Sequence, residues 1–141
     1  MNMNKSDILS KIDSTLLKQT ATSEQICALC ENAINNRFAA VCVQPCHVPL
    51  CAKWLNGSPV KVATVIGFPM GANTTAVKAF EAADAVKNYC ESMNLFDEIR
   101  IIPTGTVLAY CRSGKKHAKT LLLDAHLDEI GFVVTNVFDD G

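Results

Sequence analysis

Val60–Thr75, VKVATVIGFPMGANTT, decides how this chain is read. Val60–Phe68 is rich in β-branched side chains, which fit a pleated and largely covered strand. Gly67-Phe-Pro-Met-Gly71 then supplies a turn, and Asn73 or Thr74 can cap a following helix. That helix is expected to run to about Met93, because Val77, Phe80, Ala83 and Val86 recur three apart. A strand, a tight turn and a capped helix make a βα unit.

The same order precedes it twice. Lys11–Leu17 is a candidate strand, and Thr22-Ser-Glu-Gln25 is a capping-box pattern. It opens a helix in which Ile26, Leu29, Cys30, Ala33 and Ile34 follow the 3–4 spacing. Phe38–Val43 is a continuous apolar run, as expected of a strand covered on both faces, and Pro45 ends it. A short helix is expected near Val48–Leu55, with Asn56-Gly57 as its stop. Three successive strand–helix units, with strands starting roughly 25 residues apart, predict a parallel sheet with right-handed crossovers.

After Met93 the rhythm changes. Asp97–Ile102, Thr106–Arg112, Lys119–Glu129 and Phe132–Phe138 all read as strands separated only by short turns. Such spacing predicts antiparallel pairing. The architecture is expected to switch near residues 88–95, dividing the chain into segments 1–88 and 89–141.

Of the 141 residues, 49% are hydrophobic and 19% charged, and the net charge is −1. This balance gives no electrostatic reason to expect nucleic acid or an anionic membrane. No segment approaches the ~20 apolar residues of a membrane span. The polar start MNMNKSD lacks a signal-peptide pattern, so the chain reads as cytoplasmic. Seven cysteines are then expected to be reduced and mostly buried. A zinc site from Cys27, Cys30, Cys42 and Cys46 is the alternative, weakened because Cys27 and Cys30 fall within a helix pattern.

Several of these stretches together resemble deoxyribose-phosphate aldolase. They are Ile12–Leu17, Ala39–Val43, Lys61–Thr75 and Val77–Ala82, and the likeness runs from about residue 8 to 88. The resemblance implies an α/β fold, with three βα units of a TIM-barrel-type parallel sheet followed by the antiparallel β segment. It implies cleavage of 2-deoxyribose 5-phosphate to glyceraldehyde 3-phosphate and acetaldehyde, through a lysine Schiff base and without metal or other cofactor. A small phosphorylated sugar or an aldehyde would be the ligand. Asp13, Cys42 and Thr64 would line the pocket, Asp13 matching the family's active-site aspartate and Cys42 a pocket cysteine. Ser14 stands where the family usually has histidine. The Schiff-base lysine and its proton-transfer partners belong to later strands of the family and have no counterpart here. Thr64 is expected to face the barrel interior, and strands one and three to expose open edges. A homo-oligomer could cover them.

Phe96–Tyr110 and Lys119–Thr135 are similar instead to the start of a glutamyl-aminopeptidase-type dinuclear zinc peptidase, on the core Ala125-His-Leu-Asp-Glu-Ile-Gly131. This resemblance implies His126 as a zinc ligand and Asp128 as the carboxylate that orients it. One histidine and one carboxylate fall short of the three protein ligands a catalytic zinc usually has. Three readings follow: an aldolase-family chain lacking its catalytic lysine, a truncated zinc aminopeptidase, or a fused, non-catalytic fragment.

Overall fold

In a computed structural model the described residues are 4–125. They form an α/β arrangement of two sheets and four helices. Strands β1 (Asp13–Leu16), β2 (Ala40–Val43) and β3 (Lys61–Thr64) make one parallel sheet in sequence order. Helices α2 (Ser23–Asn36) and α3 (Val48–Trp54) are the crossovers, and α4 (Thr75–Ser92) follows β3. This is the βα rhythm expected from the sequence.

Capping explains where the helices begin. Thr22 accepts from the Gln25 amide while the Gln25 side chain accepts from the Thr22 amide, a reciprocal capping box. Thr74 caps α4 through the Val77 amide. A turn of 3-10 helix at Pro45–His47 leads into α3, because a proline tolerates the first turn, where its missing N–H costs nothing.

One face of the sheet is covered. Val41 and Val43 of β2 are fully buried against Ile26, Cys30 and Ala33 of α2 and Val48, Cys51 and Leu55 of α3. Leu16 and Val62 pack at the margin of this cluster. Burying one such aliphatic side chain contributes about 1.5–3 kcal/mol, so this layer supplies most of the folding drive.

Beyond α4 the architecture changes as expected. Strands β4 (Glu98–Ile101) and β5 (Val107–Tyr110) pair antiparallel in a separate two-stranded sheet. Gly105 turns the hairpin at φ 88°, a left-handed conformation that favours glycine. Helix α4 crosses the expected boundary at residue 88 without a break and packs on both α3 and the hairpin.

Three sequence expectations shift. A five-residue helix, α1 (Lys5–Leu9), precedes β1, started by Asn4 and Asp7 in a reciprocal capping box. The strands are shorter than their apolar runs: Val65–Phe68 bends away after β3 into the turn. The strand expected over Lys119–Glu129 is not formed in its described part. Residues 119–125 have no strand partner among the described residues, and a strand needs one for its N–H and C=O groups. Leu121, Leu122 and Leu123 are accordingly exposed. The expected strand Phe132–Phe138 lies outside the described residues. No helix among the described residues is long and apolar enough to cross a membrane.

Candidate active-site face

Register decides which side chains share a face. Asp13 aligns with Ala40 and Lys61, and Thr15 with Cys42 and Ala63. Residues two apart on a strand point the same way, so Asp13, Thr15, Cys42, Lys61 and Ala63 share one face. It is the face away from α2 and α3. Asp13, Thr15 and Lys61 on it are exposed, since no further element covers this side of β1.

Asp13 and Cys42, two of the three pocket candidates, therefore lie together. Burial, and secondarily the Asp13 carboxylate, push the Cys42 thiol above its ordinary range. A raised thiol is a poor nucleophile near neutral pH. Thr64 does not join them. It aligns with Val43 on the helix-covered side, and its hydroxyl donates to the Val43 carbonyl at 2.8 Å. The expectation that Thr64 faces the barrel interior counted strand parity one residue out.

The carboxyl ends of the three strands are tied by polar side chains that the sequence did not single out. Gln44 donates through Nε2 to the Leu17 carbonyl at 3.1 Å, joining the ends of β1 and β2. The Gly67 amide donates to the Glu81 carboxylate at 2.7 Å, and Lys78 Nζ to the Gly71 carbonyl at 3.2 Å. Lys78 and Glu81, three apart on α4, thus hold the β3–α4 turn from its helix side. Their i, i+3 spacing behind a Gly-Phe-Pro-Met-Gly turn was the available signal. Gly67 sits at φ 67°, and a Cβ there would meet Lys78 Cδ at 3.1 Å, so the turn closes tightly on this lysine.

The four cysteines considered for zinc do not converge. Cys27 and Cys30 lie on α2, whereas Cys42 is on the opposite sheet face. Among the described residues no group of three or more His, Cys, Asp or Glu side chains is placed to hold a metal ion. His126 and Asp128, the zinc-ligand and orienting candidates, lie outside the described residues.

A three-strand parallel βα sheet with an aspartate and a cysteine on its uncovered face can be compared directly with known proteins. A Clostridium perfringens deoxyribose-phosphate aldolase is 47% identical over 93 residues, 66% of this chain and 42% of that protein. Most of the chain is homologous to deoxyribose-phosphate aldolase. The Caldicellulosiruptor saccharolyticus aldolase is 42% identical over 105 residues, 74% of this chain and 48% of the relative. Among solved structures, the tetrameric deoxyribose-phosphate aldolase of Aeropyrum pernix superposes with a TM-score of 0.57 at 32% identity. That match covers 60% of this chain and 36% of the other. A Coccidioides immitis structure provisionally assigned to the same aldolase gives 0.59 at 40% identity, covering 61% and 34%. No protein-family model matches the chain. The chain spans less than half the length of the curated aldolases it matches.

Proposed function

We propose that this chain carries three βα units of a deoxyribose-phosphate aldolase-type barrel as a scaffold, and does not by itself cleave 2-deoxyribose 5-phosphate. The reaction leaves a carbanion when the carbon–carbon bond breaks, and an iminium on a lysine is the electron sink that stabilises it. That lysine must be deprotonated near neutral pH, which requires burial or a neighbouring cation.

The observation that carries the proposal is where the lysines stand. The parallel sheet holds one, Lys61, and it is exposed at the first position of β3. Barrel active sites of this kind are built at the carboxyl ends of the strands. Lys78 is closer to that end but is a half-buried helix residue whose Nζ donates to the Gly71 carbonyl. Lys61 lacks the burial that a Schiff-base lysine needs, and the Lys78 ammonium is engaged by a backbone carbonyl.

Asp13 and Cys42 give the uncovered face the side chains of a pocket wall, without the proton-transfer carboxylate and second lysine that the chemistry needs. The zinc-peptidase alternative rests on His126 and Asp128, which together fall short of a catalytic ligand set. The open sheet face and the strand edges at β1 and β3 favour self-association over a lone protomer.

The test is a cleavage assay with 2-deoxyribose 5-phosphate, reading acetaldehyde release. Release at the rate of the protein-free blank is expected. Turnover that disappears in Lys61→Ala or Lys78→Ala would overturn the proposal.

A further inference from the structure

The two edges of the parallel sheet differ from each other in a way that makes them complementary. Among the described residues β1 and β3 each pair only with β2, and the hairpin pairs with neither. Asp13 on β1 and Lys61 on β3 both align with Ala40. They stand at one level of the sheet, on its uncovered face, one at each edge. Both are exposed, and neither belongs to an ion pair among the described residues.

The backbone decides what each edge can accept. In a parallel ladder, successive residues turn their N–H and C=O groups alternately to the two sides. The Lys61 amide donates to the Ala39 carbonyl, so Lys61 and Ala63 bond toward β2, and the groups of Val62 and Thr64 point outward. The Ala40 amide donates to the Ile12 carbonyl, so Ser14 and Leu16 bond toward β2, and the groups of Asp13 and Thr15 point outward. None of these outward groups has a backbone partner among the described residues. An outward residue bonds to the two residues that flank its register partner. Val62 therefore suits a strand whose outward residues are Asp13 and Thr15, which flank Ser14. Pairing Val62 with Ser14 sets Lys61 beside Asp13.

We propose that a second copy of this chain docks by adding its β1 to the β3 edge, parallel and in continuing register. The proposal rests on the reading above that the open edges favour self-association, and it names the edges and the register. Val62 donates its amide to the Asp13 carbonyl of the second copy and accepts from the Thr15 amide of that copy. Neighbouring strands lie about 4.8 Å apart, half the spacing that separates Asp13 from Lys61 within one copy. The Lys61 ammonium and the Asp13 carboxylate of the second copy then meet across the seam. Pairing β1 with β1, or β3 with β3, leaves both charges without an opposite partner. Helix α4, packed on α3, exposes Val77 and Phe80, apolar surface available to the helical layer of the second copy. Each copy has one edge of each kind, so the contact is head-to-tail and builds rings or open chains.

The experiment is sedimentation velocity of the full chain over a concentration series, with the charge-reversed variants Asp13→Lys and Lys61→Asp. The wild-type chain is expected to associate. Each single reversal sets like charges across the seam and is expected to weaken association about tenfold. An equimolar mixture of the two variants restores opposite charges at every seam and is expected to regain the wild-type association. Association untouched by both reversals, or no recovery in the mixture, would overturn this pairing while leaving self-association standing. A wild-type chain that stays monomeric throughout the series would overturn both. Carbodiimide coupling of mixed light and heavy-nitrogen wild-type copies gives a readout that does not depend on the variants folding. It is expected to link Asp13 of one copy to Lys61 of another, and associated copies that yield no such link would also overturn the pairing.

Discussion

Cys42 and Thr64 show how much rests on one residue of strand parity. Both fall in apolar stretches with no polar alternation, so the sequence alone does not say which way either points. Pairing settles it: Cys42 aligns with Thr15 and Ala63 on the uncovered face, and Thr64 with Val43 on the covered one. The candidate site was therefore legible in its residue types but not in its facing, because register is a property of neighbouring strands. The buried thiols carry a pH signature as well. Burial raises Cys30, Cys42, Cys51 and Cys90 in the fold, whereas in the unfolded chain they ionise near their free value of about 8.5. Below that value the folded and unfolded chains hold equal numbers of thiol protons. Above it the unfolded chain holds fewer, so stability falls as pH rises toward the folded values. Under reducing conditions the urea midpoint is expected to drop between about pH 7.5 and 9.5. The drop should be smaller in Cys51→Ala, and equal slopes for the two proteins would contradict the assignment.

At the scale of elements, the helices were the most legible because each declares its own start. Thr22 and Gln25 are visible in the sequence as a capping box and form one in the fold. Thr22→Ala is expected to cost about 1 kcal/mol, measured as a lower denaturation midpoint. Amide exchange should quicken in the first turn of α2 and not in α4. Equal acceleration in both helices would show that the cap acts globally. The short helix α1 was missed although Asn4 and Asp7 carry the capping pattern, because a five-residue helix has too few apolar positions to show a period. The strand ends were read too long, since an apolar run does not reveal where its partner stops. The case of residues 119–125 is sharper. Three consecutive leucines have the hydrophobicity of a strand, but among the described residues β4 and β5 pair with each other and the run pairs with neither. Hydrophobicity suggests the element, but a strand also needs a partner for its backbone groups, which hydrophobicity does not reveal.

For the whole molecule, the central feature is a parallel sheet covered on one face only. The covered face holds the apolar cluster, and the other presents Asp13, Cys42 and Lys61. Likeness to deoxyribose-phosphate aldolase accounts for the covered face, the crossover helices and the tight turn after β3. It does not by itself confer the reaction, because a fold carries chemistry only where the reacting groups are present. Parallel pairing, the βα rhythm and the change to antiparallel strands after α4 could all be read from spacing. How the two segments contact each other could not, because the packing of α4 on the hairpin is a tertiary contact that no local spacing encodes. Whether any lysine of this chain forms a Schiff base decides between a scaffold and an enzyme. The most direct measurement is incubation with acetaldehyde and borohydride, followed by intact mass and peptide mapping. No stoichiometric two-carbon adduct is expected at any single lysine. A full equivalent trapped on one lysine, Lys61 or Lys78 in particular, would contradict the scaffold reading.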